Sequence, residues 1–248
     1  MTGGGRGIGR AIALTLARAH ARVAIASRTP DELASVAGEI RSVGGDAVVC
    51  VGDVSDPEAC VALVATALRS LGRVDILVNA AGVAPSAPLA KTTTAEWRSA
   101  LDTNLSGAFY LMREILPAMS AAGWGRIVNV ASIAGKTGFP YIAAYAASKH
   151  GLLGLTRCAA LETADRGVTV NAICPGYVDS PMTDASIARI VSKTGREPGE
   201  IRRRLEESSP QKRLYTPDEV AALALFLCGD GASGINGQAL NIDGGSVL

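Results

Sequence analysis

Short aliphatic and β-branched runs alternate along the chain with longer stretches whose apolar positions recur every three or four residues. The runs predict strands at 23–26, 47–51, 76–79, 127–130, 169–173 and 239–242. The stretches between them predict helices at 9–20, 30–43, 57–71, 94–121, 144–166 and 217–228. The last has an explicit start signal: Thr216 as cap, Pro217 in the first turn and Glu219 completing a capping box. The strand runs are apolar throughout rather than alternating, the pattern of parallel strands covered on both faces. Regular strand–helix–strand order with right-handed crossovers predicts an α/β, doubly wound (Rossmann-type), mostly parallel sheet with helices on both faces. With no internal repeat or linker, residues 1–248 read as one domain.

Two stretches depart from this rhythm. From 184 to 214 the chain is polar, with eight basic residues against five acidic ones, and it reads as a lid-like insertion. At the start, only Met1 and Thr2 precede Gly3, so the strand expected ahead of a glycine-rich loop is missing. Removing a central parallel strand leaves two neighbours with unpaired edges, and the expectation is therefore a longer reading frame with a Val/Ile-rich prefix.

Composition narrows the classes. Hydrophobic residues make up 48% and aromatics only 4%, so the core is built from Ala, Val, Leu and Ile. A formal charge of +1 gives no electrostatic footprint for nucleic acid or an anionic membrane. No apolar run reaches the ~20 residues that span a bilayer. Cys50, Cys60, Cys158, Cys174 and Cys228 form no CxxC pair and no metal spacing with His20 or His150, so no metal is expected, and buried thiols in a reducing cytoplasm are.

The segment Gly3-Gly4-Gly5-Arg6-Gly7-Ile8-Gly9 opens the first helix. Glycine lets a backbone approach a pyrophosphate, and a helix N-terminus offers unsatisfied N–H groups at the positive end of its dipole. The spacing is not GxGxxG, and a tight turn alone would account for some of these glycines. Context adds to it. About 20 residues on, where an NAD-selective fold carries an acid against the ribose, this chain has Ser27-Arg28. Arg28 and Arg6 together suit a 2′-phosphate dianion, which points to NADP(H). Asp53, after the 47–51 run, suits either an adenine edge or a turn cap.

Tyr145-Ala-Ala-Ser-Lys149 starts a strong helical pattern, and residues four apart share one helix face. A free phenol titrates near ~10, too high for proton exchange at neutral pH. A cation ~4 Å away contributes roughly 4 kcal/mol at an effective dielectric of ~20, enough to bring the phenol toward working range. Ser132 follows the strand read at 126–131, at the carboxyl edge where ligands bind in open parallel sheets, and Asn79-Ala80-Ala81-Gly82 ends another there. Asn104, between Leu101 and Leu105, reads as either a core amide or a site amide.

Taken in order, TGGGRGIG (2–9), GDV (52–54), NAAG (79–82), Asn104, Ser132, YAASK (145–149), VNAICPG (170–176) and NIDGG (241–245) resemble the short-chain dehydrogenase/reductase family, in its compact single-domain branch. The resemblance covers effectively the whole chain and departs from the pattern chiefly at the absent first strand. It implies that Tyr145 exchanges the proton, Ser132 orients the carbonyl oxygen, Lys149 lowers the phenol pKa and holds the nicotinamide ribose, and Asn104 anchors a water for proton resupply. It further implies cofactor contacts from Gly3, Gly5, Arg6, Gly7, Ile8, Gly9, Ser27, Arg28, Asp53, Val54, Asn79, Ala80 and Gly82, and from Tyr145 and Lys149 themselves. Pro175, Gly176, Val178 and Thr183 are implied to border the nicotinamide.

Within the family the chain most resembles reductases of 3-oxoacyl thioesters of fatty acid or polyketide metabolism, which implies a small-molecule or carrier-bound acyl substrate. The basic 184–214 segment suits phosphopantetheine, CoA or an acidic carrier, and equally a solvated lid. Phe139, Tyr141 and Tyr177 suit an acyl pocket or simple packing. A dehydrogenase of a secondary alcohol, steroid or sugar is the alternative; a non-enzymatic nucleotide-binding regulator would not need the intact Ser/Tyr/Lys set. The resemblance also implies a homotetramer packed through helices 94–121 and 144–166 and through the C-terminal segment.

Overall fold

Each aliphatic run forms a strand in the computed structural model, which describes residues 1–247. Strands β1 (Val23–Ser27) and β2 (Ala47–Val51) pair with each other, and β3 (Ile76–Asn79), β4 (Gly125–Val130), β5 (Val168–Pro175) and β6 (Ala239–Ile242) form a row of four. Every pairing is parallel. Nine helices are described: α1 (Gly7–Arg18), α2 (Pro30–Ser42), α3 (Pro57–Leu71), α4 (Thr94–Leu101), α5 (Gly107–Ala122), α6 (Ala143–Glu162), α7 (Pro181–Thr194), α8 (Pro198–Glu207) and α9 (Pro217–Cys228).

Helix starts follow from local chemistry. Asp56 accepts a hydrogen bond from the Glu58 N–H to cap α3, and Thr93–Glu96 and Thr216–Glu219 form reciprocal capping boxes at α4 and α9. The apolar stripes of α1, α2 and α9 share one core with the strands. Those of α3 and α5 join the end of α6 in a second, and the middle of α6 packs in a third. The sheet is thus covered on both faces, as its uninterrupted apolar strands require.

One expectation is corrected, and one segment gains its secondary structure. The helix expected over 94–121 is broken by a π-helical turn at Asp102–Ser106. The turn carries Asn104 inward; one extra residue in a turn is too small a change for an apolar period to register. The polar 184–214 segment is largely helical, forming most of α7 and all of α8, with Gly195 in the left-handed region (φ 68°) ending the first. Four cysteines are buried and Cys158 is exposed. Among the described residues no helix is long and apolar enough to cross a membrane.

The start of the chain occupies the gap between β1 and β3. Thr2 alone bridges both sides in parallel, to Ala26 and to Asn79. The Thr2 N–H donates to the Val78 carbonyl (3.0 Å) and the Ala26 N–H to the Met1 carbonyl (2.8 Å). Below this bridge the sheet is parted, and a cavity of about 420 Å³ opens among Leu63, Val64, Leu77, Leu111 and Ile115. The chemistry lies at the opposite, carboxyl edge.

Candidate active site

At that edge the glycine loop passes from Thr2 into α1. Thr2 is buried, and its Oγ1 accepts hydrogen bonds from the Ala80 and Ala81 N–H groups (3.2 and 3.3 Å), tying the loop to the end of β3. Gly3 has φ +64°, and a methyl there would lie 2.8 Å from the Ala80 backbone, so only glycine fits. Arg6 precedes α1 in an extended conformation with no side-chain cap, which leaves the first N–H groups of a 12-residue helix facing a cavity of about 180 Å³. Gly3, Gly5, Gly7, Ile8 and Gly9 line this cavity together with Val54, Ala80 and Gly82. An uncapped helix start in a cradle that side chains would fill is the arrangement a dinucleotide pyrophosphate needs, so these residues fit such a cofactor.

The corner that would meet the adenosine ribose is lined by Arg6, Ser27, Arg28, Glu32 and Asp53. Arg6 faces Glu32 (3.5 Å) and Arg28 faces Asp53 (3.5 Å). Asp53 also accepts from the Ser55 N–H and hydroxyl (3.0 and 2.8 Å). Burial pushes its carboxyl up, but the Ser55 hydrogen bonds and the Arg28 guanidinium together hold it below the usual range. Asp53 is thus both a turn cap and an ion-pair partner.

Ser132 lies two residues past the end of β4, where its Oγ accepts from the Ala134 N–H (3.1 Å), and its side chain neighbours the Tyr145 phenol. Tyr145 and Lys149 lie one turn apart on α6. The Lys149 Nζ donates to the Val130 carbonyl (2.7 Å) and sits 5.7 Å from the centre of the Tyr145 ring. The expected lowering of the phenol is corrected: burial pushes the Tyr145 phenol up, with the Ser132 hydrogen bond opposing it. The ammonium is directed to a carbonyl rather than to the phenolic oxygen, and it is itself lowered to about 8 by burial.

This shift has a stability consequence. Between about 8 and the model-peptide 10.5 the unfolded chain holds a proton on Lys149 that the folded chain does not. Stability therefore rises with pH through that window, and below it the buried charge costs the fold about 3 kcal/mol. Urea unfolding of wild type and Lys149→Met at pH 7.5 and 10.5 should show the difference moving in favour of wild type; a constant difference would contradict the assignment.

Asn104 is 2% exposed. Its Oδ1 accepts from the Val83 N–H (2.8 Å), and its Nδ2 donates to the Val83 carbonyl and the Ser148 hydroxyl (both 2.9 Å). Ser148 in turn donates to the Tyr145 carbonyl (2.7 Å). A methyl on Gly82 would stand 3.3 Å from Asn104 Oδ1 and 3.7 Å from Lys149 Nζ, so the two groups converge on one point. Ser148, which sequence reasoning passed over, thus links Asn104 to the backbone of the tyrosine; only its place inside YAASK hinted at it.

The remaining site residues are placed as follows. Asn79 turns away from the cavity, its Nδ2 donating to Asn129 Oδ1 (2.8 Å), and is a core clamp between β3 and β4. Pro175 ends β5, and the Gly176 N–H donates to the Ile242 carbonyl (2.9 Å). The Thr183 hydroxyl donates to the Val178 carbonyl (2.5 Å), holding the start of α7 against the strand end. Tyr141 adopts φ +70° and is 64% exposed, and its carbonyl accepts from the Ala87 N–H. Most of the basic side chains of 184–214 are engaged within the protein: Arg189 and Lys193 on the Ala84 and Ser86 carbonyls, Arg202 on Asp179, Asp184 and Glu206, and Arg204 on Glu200.

A nucleotide cradle at the carboxyl edge of a doubly wound parallel sheet, beside a Ser–Tyr–Lys set, defines a dinucleotide-dependent oxidoreductase. Residues 3–246 match the family model described as enoyl-(acyl carrier protein) reductase. The chain is 38% identical to D-beta-hydroxybutyrate dehydrogenase of Rhizobium meliloti (strain 1021), over 99% of this chain and 96% of the relative. It is 38% identical to acetoacetyl-CoA reductase of Shinella zoogloeoides, over 100% of this chain and 97% of the relative. Among solved structures, a variant of actinorhodin polyketide ketoreductase with NADPH superposes with a TM-score of 0.95 at 37% identity, covering 99% of this chain and 95% of the other. The chain belongs to the short-chain dehydrogenase/reductase family and is an oxidoreductase.

Proposed function

We propose that the protein is an NADP(H)-dependent reductase of 3-oxoacyl thioesters, carried on an acyl carrier protein, CoA or a polyketide synthase. The observation that carries this reading is the meeting of Ser132, Tyr145 and Lys149 beside a glycine cradle flanked by Arg6 and Arg28. A dihydronicotinamide cofactor, which the glycine loop and the ends of β3 and β5 would hold, would supply the hydride for the carbonyl carbon. Ser132 donates a hydrogen bond to the carbonyl oxygen and fixes its position. Tyr145, protonated because burial raises its phenol, delivers the proton to that oxygen. Its nascent phenolate is stabilised by Ser132 and by the Lys149 ammonium, so the lysine matters most when the proton leaves. Lys149 also reaches the nicotinamide ribose, and its convergence with Asn104 marks the path of proton resupply. Pro175, Gly176, Val178 and Thr183 shape the nicotinamide end, and Ser27, Arg28 and Arg6 hold the 2′-phosphate.

The thioester class is supported by likeness to the acetoacetyl-CoA reductase and the polyketide ketoreductase. A screen of NADPH oxidation led by acetoacetyl thioesters tests it: turnover of simple ketones but not thioesters would reject the substrate class. The reverse reading, oxidation of a secondary alcohol, is favoured by the likeness to a hydroxybutyrate dehydrogenase. The same residues then act in the opposite sense, and steady-state rates in both directions separate the two. Because the 184–214 arginines largely face partners of their own, that segment acts as a lid on a single catalytic domain rather than as an anion-binding surface.

Arg28→Asp is expected to lower kcat/KM for NADPH by about ten- to a hundredfold, the worth of a charge-assisted contact, while sparing NADH. Unchanged selectivity would make Arg28 a surface charge. A homotetramer is proposed as well, since Trp97, Phe109 and Leu161 leave apolar surface on α4, α5 and α6 (41%, 41% and 82% exposed). Gel filtration giving a monomer would remove it. Four buried thiols suit a cytoplasmic setting.

A further inference from the structure

The ribose corner is electrically balanced in a way that a phosphate-binding corner need not be. Its two guanidiniums face two carboxylates, Arg6 with Glu32 and Arg28 with Asp53. The carboxylates are not equivalent. Asp53 is fixed by two hydrogen bonds from Ser55 and belongs to the turn after β2. Glu32, in the first turn of α2, has only the Arg6 contact among the described residues. Its carboxylate leans over the phosphate loop: a methyl on Gly5 would lie 3.1 Å from Glu32 Oε2 and 3.3 Å from Ser27 Oγ. Glu32 therefore shares with Ser27 and Arg6 the corner that a 2′-substituent of the adenosine ribose enters.

We infer that Glu32 is a specificity-determining residue that makes the site accept NADH alongside NADPH. A 2′-phosphate dianion needs Arg6, which Glu32 already engages, and meets the negative charge of Glu32 in the same corner; both effects weaken NADPH. An unphosphorylated ribose presents 2′- and 3′-hydroxyls, and a carboxylate is the acceptor those donors need. Arg28 and Glu32 thus pull selectivity in opposite directions across one small corner. The inference rests on the proposed NADP(H) reading and adds the residue that limits it.

The test is cofactor binding rather than turnover, read from dihydronicotinamide fluorescence with the 248-residue chain. Wild type is expected to bind NADPH and NADH with dissociation constants within about tenfold of each other, since one charge in a solvated corner is worth about 1.4 kcal/mol. Glu32→Gln should tighten NADPH about tenfold and weaken NADH, and Glu32→Lys should extend the same shift. The gain toward NADPH should shrink in 1 M salt, where exposed charges are screened within ~3 Å. A melting curve for each variant confirms a folded protein, and Glu32→Lys carries the test if Glu32→Gln fails to fold. An NADPH-to-NADH binding ratio unchanged in both variants, with wild type binding NADPH, overturns the role of Glu32 and leaves the cofactor reading intact. Wild type binding neither dinucleotide overturns the cofactor reading, and the inference with it.

Discussion

Tyr145→Phe should reduce carbonyl reduction by about 10²- to 10⁴-fold, the range for losing a positioned general acid. The substitution removes one oxygen and little else. The ring stays in α6 with its backbone carbonyl still accepting from Ser148, and Lys149 keeps its bond to Val130. Cofactor affinity should therefore stay within a few-fold of wild type, because the cradle and the ribose corner are untouched. The loss should appear in kcat, as for an interaction made only while the proton moves. Rapid-mixing measurement of NADPH oxidation beside a fluorescence titration separates the two quantities. Residual activity above about a tenth of wild type would show that another group supplies the proton.

Gly9→Ala is the second large effect, and it acts through the loop rather than the chemistry. A methyl on Gly9 would stand 2.1 Å from the Gly3 carbonyl oxygen and 2.7 Å from its carbon, both backbone atoms. Gly3 cannot retreat, since it is pressed against the Ala80 backbone, and α1 is held by its packing against α9 and α2. The loop must open, displacing the N–H groups that a pyrophosphate needs. Expected are a loss of dinucleotide affinity of at least about a hundredfold and a fall in stability of about 3 kcal/mol, typical of overpacking against backbone. Gly38→Ala is the matched control. It lies within α2 with nothing near its would-be methyl, and it should stabilise by about 0.5–1 kcal/mol. Urea unfolding and cofactor titration of the two variants decide the matter; near-wild-type binding by Gly9→Ala would mean that the loop is not the pyrophosphate cradle.

Much of this molecule was legible in one dimension because its signals are local. Apolar runs without alternation identify parallel strands covered on both faces, and helix starts at Asp56, Thr93 and Thr216 follow from side chains that reach their own backbone. Tyr145 and Lys149 share a helix face because four residues make about one turn. Tertiary structure alone decided what depends on partners distant in the chain. The π turn at Asn104 goes with contacts to Val83 and Ser148, and Lys149 faces a carbonyl on β4. Asn79 closes on Asn129 instead of the cavity, and Glu32 reaches over Gly5 from another helix. The direction of a long side chain is settled by which buried acceptor it can satisfy, and that acceptor is brought near only when the sheet assembles.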